Sequence, residues 1–138
     1  MWRAGVPGLV DVKRFRDARA RFDLAPLAIH VNYLVNLATL DPLVREMSIA
    51  SFRGELDRAA IIGAEYLVLH PGNFKGQSLE QGIAAFALGL TEAAHGFRAP
   101  GLSVLLENTV GAANPLHGVG GVPRQFGSVP PNQHHDCL

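Results

Sequence analysis

The sequence predicts an α/β fold, and three observations carry the prediction. Short apolar runs alternate with segments of helical periodicity in the order α, β, α, β, α, β. The runs are near-continuous rather than alternating, the pattern of parallel strands covered on both faces. Each run ends on a side chain suited to metal binding or acid–base work: His30, His70 or Glu107.

The first helix is expected from Val10 to about Phe22, with a charged face of Lys13, Arg14, Arg16, Asp17, Arg19 and Arg21. Such a basic run most often faces solvent; contact with phosphate is the sharper alternative. Ala25-Pro-Leu-Ala-Ile-His30 reads as the first strand. Asp41 then offers an N-cap with Pro42 at the first helical position. Leu43, Met47, Leu56 and Ala60 follow at helical spacing, and Gly63 offers a C-terminal stop. Tyr66-Leu-Val-Leu-His70 is the second strand, ended by Pro71-Gly72. Ser78-Leu-Glu-Gln81 matches a capping box opening an Ala-rich helix through about Ala94. Leu102 to Glu107 is the third strand. From Asn114 the chain is rich in Gly, Pro and polar residues and loses periodicity, so residues 1–113 are expected to form the domain and 114–138 an irregular, disordered or out-of-frame tail.

The bulk composition fits one domain. The 138 residues are 48% apolar and 17% charged, with 12 basic and 12 acidic side chains. That balance leaves no global basic footprint of the kind that many nucleic-acid binders carry, although a local patch or a metal can still attract phosphate. The single cysteine, Cys137, excludes an internal disulfide. No apolar run reaches the ~18 residues of a membrane span, and the opening MWRAGVPGLV is too broken by Gly and Pro for a signal peptide. The expectation is a soluble cytoplasmic protein with no evident protein partner.

His30, His70 and Glu107 are separated by 40 and 37 positions, one βα unit each time. Their side chains therefore emerge at the C-terminal edge of a parallel sheet, where α/β proteins build their sites. Two imidazoles and a carboxylate are a common zinc set with one position left for water or substrate. Each residue also has a plainer reading: a strand-end histidine is more often a hydrogen-bonded structural residue, and Glu107 could cap a neighbouring helix. Tyr33, just beyond the first strand, could stack on a base or sugar, or pack the loop with Leu34 and Val35. Asn36 lies in the same loop. Asn108 and Thr109 could orient Glu107 or contact a ligand, or merely form a turn with Gly111. His95, His117 and the tail pair His134 and His135 carry no supporting context.

The stretches HVNYLVNLA at 30–38, LVLHPGNFKG at 67–76 and LLENTVGA at 105–112 resemble the endonuclease IV type of apurinic/apyrimidinic endonuclease, a zinc-dependent DNA repair family of the xylose-isomerase-like superfamily. The likeness runs from about residue 2 to about residue 113. It implies a (β/α)₈ TIM barrel, of which about three βα units are present here, with the site at the strand C-termini. It also implies His30, His70 and Glu107 as zinc ligands, the glutamate bridging to a second of three ions and acting in catalysis. Tyr33 and Leu34 would press into double-stranded DNA beside an abasic site, and Asn36, Asn108 and Thr109 are read as supporting residues of the site. The implied reaction is hydrolysis of the backbone 5′ to that site. A sugar isomerase or epimerase of the same superfamily is the alternative enzyme, and a non-catalytic remnant the alternative of another class. A complete barrel takes about 250 residues, so a fragment from a truncated or frameshifted gene is expected, poorly active alone and with apolar surface uncovered.

Overall fold

The computed structural model describes residues 5–107, and Asn108, Thr109 and the tail lie outside that range. Three helices and three strands alternate: α1 (Leu9–Arg21), β1 (Ala28–His30), α2 (Pro42–Ile62), β2 (Tyr66–Leu69), α3 (Leu79–Ala94) and β3 (Ser103–Leu106). The strands form one parallel sheet in the order β1-β2-β3. Each crossover is a helix, as parallel pairing requires.

Local chemistry sets the helix ends. Asp41 Oδ1 accepts hydrogen bonds from the backbone N–H groups of Leu43 and Val44 at 2.9 and 3.0 Å. Pro42, which has no N–H to leave unpaired, occupies the first turn. Gly63 closes α2 at φ 74°, the left-handed region that a Cβ disfavours. At α3, Ser78 and Gln81 form the reciprocal capping box. The first strand is shorter than its apolar run suggests. Pro26 has no N–H, and the Leu27 N–H donates to the Glu65 side chain at 2.7 Å instead of to a strand.

The core lies between the helices and one face of the sheet. Phe52, Leu56 and Ala59 of α2 pack with Leu67 and Leu69 of β2 and with Val35, Leu37, Phe74 and Phe86, all nearly inaccessible to water. Full burial of each large side chain is worth about 1.5–3 kcal/mol, so this cluster of α2, β2, α3 and the two loops is the main source of the fold's stability.

Two expectations need correction. The strands are not covered on both faces. Leu67 and Leu69 are buried while Tyr66 and Val68 are partly exposed, and β3 is exposed throughout. The face toward α2 and α3 carries a helical layer over β2, while on β3 both faces are exposed among the described residues. The basic run of α1 is also not a uniformly solvated face. Arg19 donates to the Gly63 carbonyl at 2.7 Å and to both Glu65 carboxylate oxygens, while Arg16 donates to the Ala60 carbonyl at 3.2 Å. These carbonyls end α2, where the helix dipole favours cations. Two arginines thus fasten α1 to α2, and only Lys13, paired with Asp17, sits in a surface i,i+4 bridge. No described helix is long and apolar enough to cross a membrane.

Candidate metal centre

Side chains alternate faces along a strand, and the register decides which residues share one. Ala28 pairs with Tyr66 and His30 with Val68, while Tyr66 pairs with Ser103 and Val68 with Leu105. His70 and Glu107 continue the last two rows by one step of two. The Glu107 N–H donates to the Leu69 carbonyl at 3.0 Å, so the ladder holds to that point. All three side chains therefore project from the uncovered face, at the C-terminal edge.

There they converge. His30 Nε2 lies 2.6 Å and His70 Nε2 3.5 Å from Glu107 Oε2. The two imidazoles meet edge to face with ring centres 4.8 Å apart. The ligand-capable atoms of the three residues fall within 4.8 Å of one another. Glu107 is 38% exposed and His30 47%, so the cluster is open to a solute.

His30 is held in one orientation. Its Nδ1 lies 2.8 Å from the Val31 carbonyl, an acceptor, so that nitrogen carries a proton and Nε2 faces Glu107. The hydrogen bond to Glu107 raises the His30 pKa above its usual 6.5, aided by the Val31 carbonyl and opposed by burial. The same bond to His30 lowers Glu107 below its usual 4.5, with the charges of both histidines adding to it against a cost of burial. Each shift favours the charged form of its own group.

The donor set fits a metal ion. Nitrogen and oxygen ligands at about 2.1 Å around a tetrahedral zinc stand roughly 3.4 Å apart. The His70–Glu107 separation of 3.5 Å already meets that figure, and the His30–Glu107 pair at 2.6 Å needs to open slightly as its shared proton leaves. The carbonyl behind His30 is the outer partner that metal-binding histidines ordinarily have.

Beside the cluster, Asn32 Oδ1 accepts from the Leu34 N–H at 3.0 Å, and the Asn32 carbonyl accepts from Val35 N–H at 3.0 Å. This Asx turn lifts Tyr33 into solvent at 82% exposure, while Val35 goes into the core. Tyr33 therefore does not pack the loop; Val35 does, and Leu34 is half-buried. Asn36 does not reach the cluster but bonds to the loop after β2. His95 is an exposed residue at the end of α3, far in role from the site, its carbonyl accepting from Arg53 at 2.7 Å. Asn32, whose side chain presents Tyr33, was missed from sequence; an Asn directly ahead of a loop aromatic was the available signal.

Comparison with known proteins agrees with this architecture. The family described as "Xylose isomerase-like TIM barrel" matches residues 6–122. The chain is 60% identical over 118 residues to the probable endonuclease 4 of Solibacter usitatus, an alignment covering 86% of this chain and 41% of that protein. It is 37% identical over 110 residues to endonuclease 4 of Thermus thermophilus, covering 80% and 38%. A crystal structure of endonuclease IV from Thermus thermophilus superposes with a TM-score of 0.69 at 31% identity, covering 83% of this chain and 40% of that one. The chain thus spans about two fifths of the length of these relatives. With three parallel βα units and a family match over most of its length, this chain belongs to the xylose isomerase-like TIM barrel family, and its likeness within that family is to the endonuclease 4 proteins.

Proposed function

We propose that His30, His70 and Glu107 hold a zinc ion and form part of the hydrolytic site of an endonuclease 4-type DNA repair enzyme, which cuts the backbone of double-stranded DNA 5′ to an abasic site. One observation carries the reading. Three ligand-capable side chains, spread over 77 residues of sequence, meet on one open sheet face at the strand C-termini. That is where barrel enzymes of every chemistry place their sites.

His30 and His70 would each offer Nε2 and Glu107 a carboxylate oxygen. A bound zinc supplies Lewis-acid polarisation of a phosphoryl oxygen and acidifies water near neutral pH. The protein's own contribution is orientation. Val31 fixes the His30 ring, and one carboxylate oxygen of Glu107 lies within reach of both imidazoles. Tyr33, lifted clear of the surface, offers a stacking face, and Leu34 beside it an apolar wedge. Asn108 and Thr109 follow Glu107 directly in sequence and are candidates for steering its carboxylate. One ligand set stands among the described residues, so a three-zinc site and full activity belong to the assembled barrel rather than to this stretch alone.

The test is segment replacement. Residues 6–107 of this chain are placed in the corresponding part of the Solibacter usitatus protein, and the chimera is assayed on a duplex with one abasic site and, separately, on a ketose. Cleavage 5′ to the abasic site without ketose turnover is expected. His70→Ala should reduce cleavage more than about 100-fold, since loss of even an outer-shell partner costs 10–100-fold. Tyr33→Ala should keep its zinc and bind the duplex about 5- to 150-fold more weakly, from about 1–3 kcal/mol of stacking. A folded, zinc-loaded chimera that leaves the abasic duplex intact, or that turns over the ketose, rejects the reading.

A further inference from the structure

The loops that follow β1 and β2 are joined through one side chain. Asn36 Oδ1 accepts from the Asn73 N–H at 3.0 Å and from the Ala38 N–H at 3.2 Å, while Asn36 Nδ2 donates to the Asn73 carbonyl at 2.9 Å. The amide therefore pairs with the Asn73 backbone in both directions, as a peptide group of a neighbouring strand would. Its own main chain is anchored in turn. The Asn36 N–H donates to Ser48 Oγ at 2.9 Å, and Ser48 is wholly buried in α2.

The opposing backbone is shaped to admit this amide. Gly72 has φ +85°, and a Cβ there would stand 2.3 Å from Asn36 Oδ1 and 3.3 Å from Asn36 Cα. Both the dihedral and the space require glycine. Between Gly72 and His70 lies only Pro71, whose φ is fixed by its ring. Asn73 is thus joined to His70 through a two-residue spacer, of which Pro71 is fixed by its ring and Gly72 by the close approach of Asn36.

His30 has its own support in the Val31 carbonyl, next in sequence. His70 meets Glu107 only at 3.5 Å and its ring touches the edge of His30. Its direction depends on where the following loop is held. We infer that Asn36 is a positioning residue: by tying Asn73 to α2 it sets the direction of the His70 imidazole toward His30 and Glu107. The consequence for metal binding rests on the zinc reading above, whereas the tie itself does not.

The experiment uses the full 138-residue chain and compares wild type with Asn36→Ala, Asn36→Asp and Gly72→Ala. Leu56→Val, a core change in α2, is the control for general loss of stability. Hydrogen–deuterium exchange of 71–76, the His70 imidazole NMR shifts and zinc affinity by chelator competition are measured on each. Asn36→Ala is expected to speed exchange in 71–76, to move the His70 shifts, and to weaken zinc about 10- to 100-fold. Asn36→Asp keeps the acceptor, loses the donor and should fall between, which also covers the case that the alanine variant does not fold. Gly72→Ala should mimic Asn36→Ala in exchange, shifts and zinc affinity, because both break one tie. Leu56→Val should lower the unfolding midpoint and leave the zinc affinity of the folded protein unchanged.

Unchanged exchange in 71–76 with Asn36→Ala overturns the tie. Faster exchange with unaltered His70 shifts and zinc affinity overturns the positioning role. If wild type itself takes no zinc, the metal reading fails separately, and the His70 shifts alone decide whether Asn36 positions the ring.

Discussion

Adding one methyl group at Gly82 sets two known effects against each other, and the structure says which wins. Gly82 is in the first turn of α3, and replacing a helical glycine with alanine ordinarily stabilises by about 1 kcal/mol. Here the new Cβ would stand 2.4 Å from Phe74 Cγ, 2.5 Å from Phe74 Cβ and 2.8 Å from Phe74 Cδ1. Phe74 is 4% exposed, so its ring has no open space to swing into. Because Phe74 Cβ is itself too close, a rotamer change is not enough and the loop backbone must move. That places the cost near the top of the overpacking range, about 3 kcal/mol. The expected net effect of Gly82→Ala is a loss of roughly 2 kcal/mol.

Gly54 supplies the control. The three atoms nearest its added Cβ all belong to the Arg58 guanidinium, Nη1 at 3.1 Å, the far end of a long side chain paired with Glu55 that has to shift by only a few tenths of an ångström. Gly54→Ala should therefore stabilise by about 0.5–1 kcal/mol. Urea unfolding followed by circular dichroism separates the two. With a slope near 1.5 kcal/mol/M, Gly82→Ala should lower the midpoint by about 1.3 M and Gly54→Ala should raise it by about 0.3–0.7 M. Combining Gly82→Ala with Phe74→Ala should cost less than the sum of the two single changes, since each relieves the other. A Gly82→Ala protein as stable as Gly54→Ala would refute the claim that the loop after β2 is clamped against α3.

Two further outcomes follow from local chemistry. Asp41→Ala removes the acceptor for two N–H groups of α2 and should cost about 1 kcal/mol, lowering the thermal midpoint by roughly 4 °C or more. Glu65 is held below its usual 4.5 chiefly by the Leu27 N–H, then by Arg19, against a smaller cost of burial. Its depressed folded-state pKa means that its stabilisation is complete above the unfolded value and fades as pH falls through the folded one. Wild type should therefore lose more stability than Glu65→Gln between neutral pH and pH about 3, and equal acid sensitivity in thermal melts of the two would show that the Arg19–Glu65–Leu27 junction contributes nothing.

Helix limits and the element order were readable because their causes are local. Asp41-Pro42, Gly63 and Ser78-Leu-Glu-Gln81 each act within four residues of themselves, and the structure ends the helices there. The strands were placed to within a residue or so, except that Pro26 defers the start of β1 to Ala28. The junction of α1 was not readable. Arg16 and Arg19 look like a charged surface in sequence, and their partners at Ala60, Gly63 and Glu65 lie 44 to 46 positions away. The tie between Asn36 and Asn73 was hidden for the same reason, although Gly72 in a Pro-Gly turn hinted at a tight approach.

By itself the sequence determined that three ligand-capable residues end three strands, because apolar runs, turn residues and caps are written in consecutive positions. It did not determine that those residues meet. Parallel register is set by hydrogen bonds between strands joined only through whole helices, and a slip of one residue would turn His30 or Glu107 to the opposite face. The pairing of His30 with Val68 and of Val68 with Leu105 puts both imidazoles and the carboxylate on the same side and close enough to meet. The open character of that side was equally a tertiary matter, since an apolar run reads alike whether its second face is covered by a neighbour or left to the site.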